Sequence, residues 1–309
     1  KVDAAVFKIN PLNLLMVSSA TLDSTVGQGD DFIMAATVAT SGNLVLAGAF
    51  QTSATSFFAA IWNYNTGSGA LTLLAAQNAA GSGSDVLEGI ASTGTGKYWM
   101  VGYSSFTADS GRDKVRLSLW TYDGALTHVN SRLGYADSFD YSSRITANST
   151  NLFIAAERRN SANNKDRTFL KTDLTGFTEV EGSWNSSGPN RHEVVGGIAL
   201  DSNGDVIITG GNEDVSTSSG ASAYWKYTAT TGALAGGFPK TLGDGRFYSA
   251  IRHGADAYSA VHASSTPVLL SGGSTVTGSE GQQGAPLAFT FSGGPATSLK
   301  INSTSNQHE

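Results

Sequence analysis

The stretch Asp201-Ser202-Asn203-Gly204-Asp205-Val206-Ile207-Ile208-Thr209-Gly210-Gly211 decides the fold. Asn-Gly is a tight-turn dipeptide, and the β-branched run behind it is a short strand that stops at glycines. Related stretches are Asn43-Leu44-Val45-Leu46-Ala47-Gly48, Lys97-Tyr98-Trp99-Met100-Val101-Gly102, Asn151-Leu152-Phe153-Ile154-Ala155-Ala156 and Pro267-Val268-Leu269-Leu270-Ser271-Gly272. Their first apolar residues stand at 44, 98, 152, 206 and 268, so the gaps are 54, 54, 54 and 62 residues. Three equal gaps mark an internal repeat.

Two further strands belong to the repeat. One alternates apolar and polar residues around an aromatic, the period of a half-buried strand. It reads Ile61-Trp62-Asn63-Tyr64, Leu119-Trp120-Thr121-Tyr122, Phe169-Leu170-Lys171-Thr172, Tyr224-Trp225-Lys226-Tyr227 and Ala288-Phe289-Thr290-Phe291, with an early copy at Ala4 to Asn10. The other starts on an acid and runs into small and apolar residues, beginning at Asp31, Asp85, Asp140, Glu193 and Asp256. With a weaker last strand such as Leu71-Thr72-Leu73-Leu74, each repeat holds four strands in about 54 residues. No stretch carries a sustained helical period with caps.

Four short antiparallel strands per repeat predict an all-β chain, a β-propeller occupying 1–309 as one domain. The complete sets span about 29–80, 83–134, 137–188, 191–242 and 254–302, with a half blade at 4–24, which gives about six blades. Gly243 to Ala255 lengthen the last gap and are expected to form a face loop or an extra strand.

The run of acid, small-apolar strand, Asp-x-x-Gly turn and apolar strand ending in glycine resembles the bacterial β-propeller repeats called SBBP repeats. The resemblance is strongest over Glu193 to Gly211, weaker over Asp31 to Gly48, and extends to Asp3 to Asn10. The third copy departs from it with Ala155-Ala156-Glu157. The resemblance implies a propeller and an exported or surface setting, and no single activity.

Composition narrows the function classes. Lys plus Arg number 19 against 25 Asp plus Glu, a net charge of -6, which disfavours nucleic-acid and anionic-membrane partners. The absence of cysteine excludes disulfides, thiolate zinc sites and cysteine nucleophiles. No apolar run approaches the ~20 residues of a membrane-spanning helix. The chain starts at Lys1 without a methionine, which fits removal of a signal segment or a numbering that begins inside a longer chain. Abundant small polar residues and few lysines point to an extracellular or cell-surface location.

Equivalent positions of a propeller ring one mouth of its channel. Asp31, Asp85, Asp140, Glu193 and Asp256 could therefore hold calcium or a cationic ligand there. The ordinary reading, that each carboxylate accepts backbone N–H groups between blades, is weighed ahead of it. Asp201-Ser202-Asn203-Gly204-Asp205 opens like a calcium loop but lacks the downstream glutamate of an EF-hand, so it reads as a turn. Trp62, Trp120 and Trp225 recur in register and read as core. Trp99 and Trp184 break that register and are the candidates for stacking on a ligand, joined by His192 beside a blade mouth and by Tyr103, Phe106, Phe247 and Tyr248 near loops.

HExxH, GxSxG, Walker and complete GxGxxG motifs are missing. The expected function is thus non-catalytic: recognition of a protein or glycan through the loop face of a rigid propeller. One alternative is a carbohydrate-active hydrolase or lyase using carboxylates at the channel mouth. A second is a structural subunit of an extracellular appendage.

Overall fold

The computed structural model describes residues 4–9, 16–22, 30–53, 56–79, 82–94, 96–106, 115–132, 139–159, 165–176, 179–183, 191–201, 203–214, 219–244, 246–253, 256–262, 268–270, 275–279, 287–290 and 300–301. Every regular element among them is a strand, and no helix is long and apolar enough to cross a membrane. A first pair, β1 (Ala4–Ile9) and β2 (Met16–Leu22), precedes three four-stranded sheets. The first is β3 (Asp31–Val38), β4 (Leu44–Ser53), β5 (Ser56–Tyr64) and β6 (Leu71–Gln77). The second is β7 (Ser82–Ser92), β8 (Tyr98–Phe106), β9 (Val115–Tyr122) and β10 (Leu126–Arg132). The third is β11 (Phe139–Ala147), β12 (Asn151–Arg159), β13 (Lys165–Asp173) and β14 (Glu179–Ser183). A fourth holds β15 (Arg191–Leu200), β16 (Val206–Asp214), β17 (Ser219–Tyr227) and β18 (Lys240–Asp244). A second pair, β19 (Arg246–His253) and β20 (Asp256–His262), leads to the last four: β21 (Val268–Leu270), β22 (Thr275–Ser279), β23 (Leu287–Thr290) and β24 (Lys300–Ile301). Within each sheet the strands neighbour one another in chain order.

The chain divides into two compact units, Lys1–Ser161 with Lys171–Glu179, and Ala162–Leu170 with Val180–Glu309. In the first unit, successive residues of β4 are buried in two different clusters, because period-2 alternation sends them to opposite faces of the sheet. Val45 and Ala47 of β4 join Leu87, Met100 and Trp120 in one buried cluster, while Leu46 between them joins Trp62, Tyr64, Val6 and Ala20 in another. The aromatic strand therefore aims its tryptophan at the preceding sheet. Trp62 meets β1 and β2, and Trp120 meets β4 and β5. Each buried indole is worth several kcal/mol, on the order of 3–5 when truncated to alanine.

One irregularity recurs. In β3, β7 and β15 the register slips by a residue, between Ile33 and Ala35, Leu87 and Gly89, and Val195 and Gly197. This is a β-bulge, which leaves one residue unpaired and re-aims its side chain. Those residues are Met34, Glu88 and Gly196. Opposite each bulge stands a glycine for which the close approach of the bulged strand leaves no room: a Cβ on Gly48, Gly102 or Gly210 would lie 1.8, 1.9 or 1.7 Å from a carbonyl oxygen of that strand. The glycines that end the repeated strand thus serve the bulge. In β12 the position is Ala156, and the irregularity widens: β11 spends four residues, Phe139 to Ser143, where β12 spends two.

In the second unit, Val195, Ile198, Val206, Ile208 and Trp225 are buried. Arg167 of β13 is fully buried as well, its guanidinium 4.4 Å from the Trp225 ring centroid. It holds the register at which Ala59 and Leu117 stand in the other aromatic strands, so a cation–π contact replaces an apolar one. The stretch that lengthens the last repeat contains β19, the extra strand of the two forms anticipated for it. This strand lies against β15 and β16, as β7 lies against β3 and β4.

Candidate functional site

The five acids do not form one set. Asp31, Asp85 and Glu193 share a register, paired across the ladder with Phe50, Ser104 and Asn212. In β11 that register belongs to Phe139, which pairs with Arg158, so Asp140 is one residue out of it. Asp256 opens β20, opposite His253 on the preceding strand, and shares no register with the others. Asp31, Asp85 and Glu193 are also buried. Asp85 receives the N–H of Ala79 at 2.9 Å and, with the Asn78 amide oriented to satisfy both its partners, that side chain at 3.0 Å. Glu193 receives the N–H of Arg167 at 3.3 Å. These two carboxylates thus tie chain segments together. Among the described residues no group of three His, Asp or Glu is placed to hold a metal ion.

Asp85 also starts a polar line across its sheet. Ser104 donates to Asp85, Ser118 donates to Ser104 at 2.6 Å, and Ser131 lies 2.7 Å from both Ser118 Oγ and His128 Nε2. At the turn between β15 and β16, Asp201 receives the N–H groups of Asn203 and Asp205. The ammonium of Lys226 stands 2.7 Å from Asp201 and 3.1 Å from Asp205, where a calcium loop would hold its cation.

The aromatic candidates separate in the same way. Trp99, expected at the surface, is 1% exposed. It occupies the register of Val45 and Phe153 in the second strand of its sheet, and comparison with the aromatic strand alone hid that equivalence. His192 is half-buried, its Nδ1 accepting the N–H of Lys165 at 2.9 Å. Phe247 and Tyr248 lie on β19 at its register shift. Trp184 lies outside the described residues. Tyr103 does line a cleft, about 250 Å³ in volume, with Phe32, Met34, Phe57, Val86 and Glu88.

Glu88 is the carboxyl-bearing residue of that lining, and it is the unpaired residue of the β7 bulge. It is 4% exposed and accepts the Ser143 hydroxyl at 2.7 Å. Burial raises its proton affinity most. The Ser143 hydrogen bond and the charge of Arg144 pull the other way, and the charge of Glu157 adds to the rise. The balance leaves its pKa at about 7 against an ordinary 4.5. A carboxyl that keeps its proton to neutrality, on a residue that lines a cleft, can deliver that proton to a leaving group. Glu88 went unremarked in the sequence because the recurring acids drew the eye. Stacking the repeats at 54 residues puts Met34, Glu88, Ser142 and Gly196 in one column, and one carboxylate in a column of uncharged residues was the available signal.

No family model matches the chain, and no curated protein matches it in sequence. Solved structures do match. An α-L-arabinanase of Penicillium chrysogenum complexed with arabinobiose has 10% identity and a TM-score of 0.59, with 98% of each chain covered. A GH93 α-L-arabinofuranosidase of Fusarium graminearum with arabinobiose has 7% identity and a TM-score of 0.56, also with 98% of each chain covered. The fold is a β-propeller of four-stranded antiparallel sheets.

Proposed function

We propose that this protein is a carbohydrate-active hydrolase that cleaves a glycosidic bond by acid–base chemistry, Glu88 protonating the leaving oxygen. This corrects the non-catalytic recognition role expected from the sequence and takes up the hydrolase alternative. The structures that match the chain along almost its whole length are enzymes of arabinose-containing glycans. The observation that carries the reading is the neutral carboxyl of Glu88 at the wall of a cleft. Two carboxyl groups flanking the bond are the usual requirement of such a reaction. Glu157 is taken as the second, because its charge reaches Glu88. In this reading Glu88 and Glu157 take the place of the carboxylates first expected at the channel mouth, of which Asp85 and Glu193 accept backbone N–H groups.

We take the substrate to be an α-L-arabinofuranosyl linkage, on the names of the matching structures. An exported location and kinship of the 54-residue repeat with SBBP repeats belong to the same proposal. Zero cysteine, few lysines and the Glu193 to Gly211 pattern support them. The test is release of reducing sugar from arabinan and arabino-oligosaccharides. Wild type should turn over, and Glu88→Gln and Glu157→Gln should each lose about 10²–10⁴-fold in kcat. Wild-type rates in both variants would overturn the assignment of the residues. No release from any arabinose-containing glycan would overturn the substrate class.

A further inference from the structure

We infer that the cleft beside Glu88 binds an apolar, aromatic leaving group, so that the enzyme prefers aryl glycosides to glycosides of small alcohols. The inference rests on the hydrolase reading of Glu88 and deepens it. Phe32, Met34, Phe57 and Val86 supply apolar walls, with the Phe32 and Phe57 rings 5.8 Å apart between centroids and tilted by 47°. The polar side chains of the lining are the Glu88 carboxyl and the Tyr103 hydroxyl. A sugar ring carries a hydroxyl on most of its carbons. Buried here, most would lose hydrogen bonds to water without replacement, at a cost of roughly 1–3 kcal/mol each. A phenyl ring has no such groups. A cavity of about 150 Å³ lined by apolar side chains suffices for benzene, and this cleft, at about 250 Å³, has room for a substituted ring.

Glu88 lines the same cleft as these apolar side chains. In the step, the Glu88 proton passes to the glycosidic oxygen. The bond from the anomeric carbon to that oxygen breaks, and its electron pair stays on oxygen to give the free phenol. Water supplies the hydroxyl that the sugar gains and the proton that restores Glu88. Met34 stands on the rim, 50% exposed, at the bulge of the preceding sheet. It can therefore be changed without disturbing the core.

The experiment compares kcat/KM for phenyl and methyl α-L-arabinofuranoside in wild type, Met34→Lys and Phe57→Ser, alongside binding of 4-methoxyphenol followed by NMR. Phenyl in place of nitrophenyl keeps the leaving group dependent on the proton. A phenyl-to-methyl ratio about tenfold lower in Met34→Lys than in wild type is expected from the apolar area the ring would bury, the leaving-group advantage of phenol being common to both. Equal rates for the two glycosides, with activity intact, would overturn the inference and leave the hydrolase reading standing. If neither glycoside is cleaved, the binding arm decides. Binding of 4-methoxyphenol by wild type and its loss in Met34→Lys would keep the aromatic site while sinking the hydrolase reading. No binding by wild type would overturn the inference itself. Phe57→Ser, at a second lining position, checks that a loss in Met34→Lys reflects the cleft.

Discussion

The sheets β3–β6 and β7–β10 are two castings of one pattern with different contents. Both bend at the same bulge, both face it with a glycine, and both bury a tryptophan against the sheet before. At the bulge itself the first carries Met34, half in solvent, and the second carries Glu88, almost wholly enclosed. Across the ladder from the shared acid, the first has Phe50 and the second has Ser104, the first link of the line to His128. What recurs between the two sheets builds the fold. What differs between them gathers the chemistry.

Shared features should fail alike in both sheets. Gly48→Ala and Gly102→Ala each force a Cβ onto backbone, which no rotamer change relieves. Each should destabilise by about 3 kcal/mol or more. Equilibrium denaturation in urea should show losses of similar size. A negligible loss in either would mean that the bulge is not the shared device.

Features that differ should show only on one side. The pKa of Glu88 lies above its unfolded value, so the folded state binds the proton more tightly. Wild-type stability is then full below about pH 4.5 and is lost as pH rises through about 7. Glu88→Gln does not titrate, so it should gain on wild type across that window. The gain should level near 3 kcal/mol above pH 7. Met34→Gln in the first sheet should show no pH-dependent difference from wild type. Thermal melts at pH 5 and pH 8 measure both, and a gap that is the same at the two pH values would contradict the burial of Glu88.

The polar line gives the smallest effect. Ser118→Ala removes the middle hydroxyl between Ser104 and Ser131 and should cost about 1–2 kcal/mol, whereas Ala60→Ser, at the matching place in the first sheet, introduces a buried hydroxyl without that line and should also destabilise. Denaturation curves check both losses. A neutral Ser118→Ala would show that the line adds nothing to stability.

Much of the fold was legible because it repeats. The 54-residue spacing of Leu44, Tyr98, Leu152 and Val206, and the alternation around Trp62, Trp120 and Trp225, reflect contacts that every sheet needs. The site was illegible for the same reason. Asp31, Asp85 and Glu193 recur, which favoured the reading that such acids accept backbone N–H groups, and Asp85 and Glu193 do so; a recurring acid marks the fold and not the site. Phe139 holds the register expected for Asp140: a strict 54-residue step from Asp85 lands on Phe139, whereas matching acid to acid lands one residue further on. Glu88 depends on a bulge that turns it inward and on Ser143, 55 residues later, to hold it. Neither can be read from its immediate neighbours.

The most direct measurement is the titration of the Glu88 carboxyl by ¹³C NMR, with Glu88→Gln to assign the resonance and Glu157→Gln to remove the neighbouring charge. The account predicts a midpoint near pH 7 in wild type, moving down when Glu157 is neutralised. A midpoint at the ordinary 4.5 would leave the cleft without its acid and contradict the account.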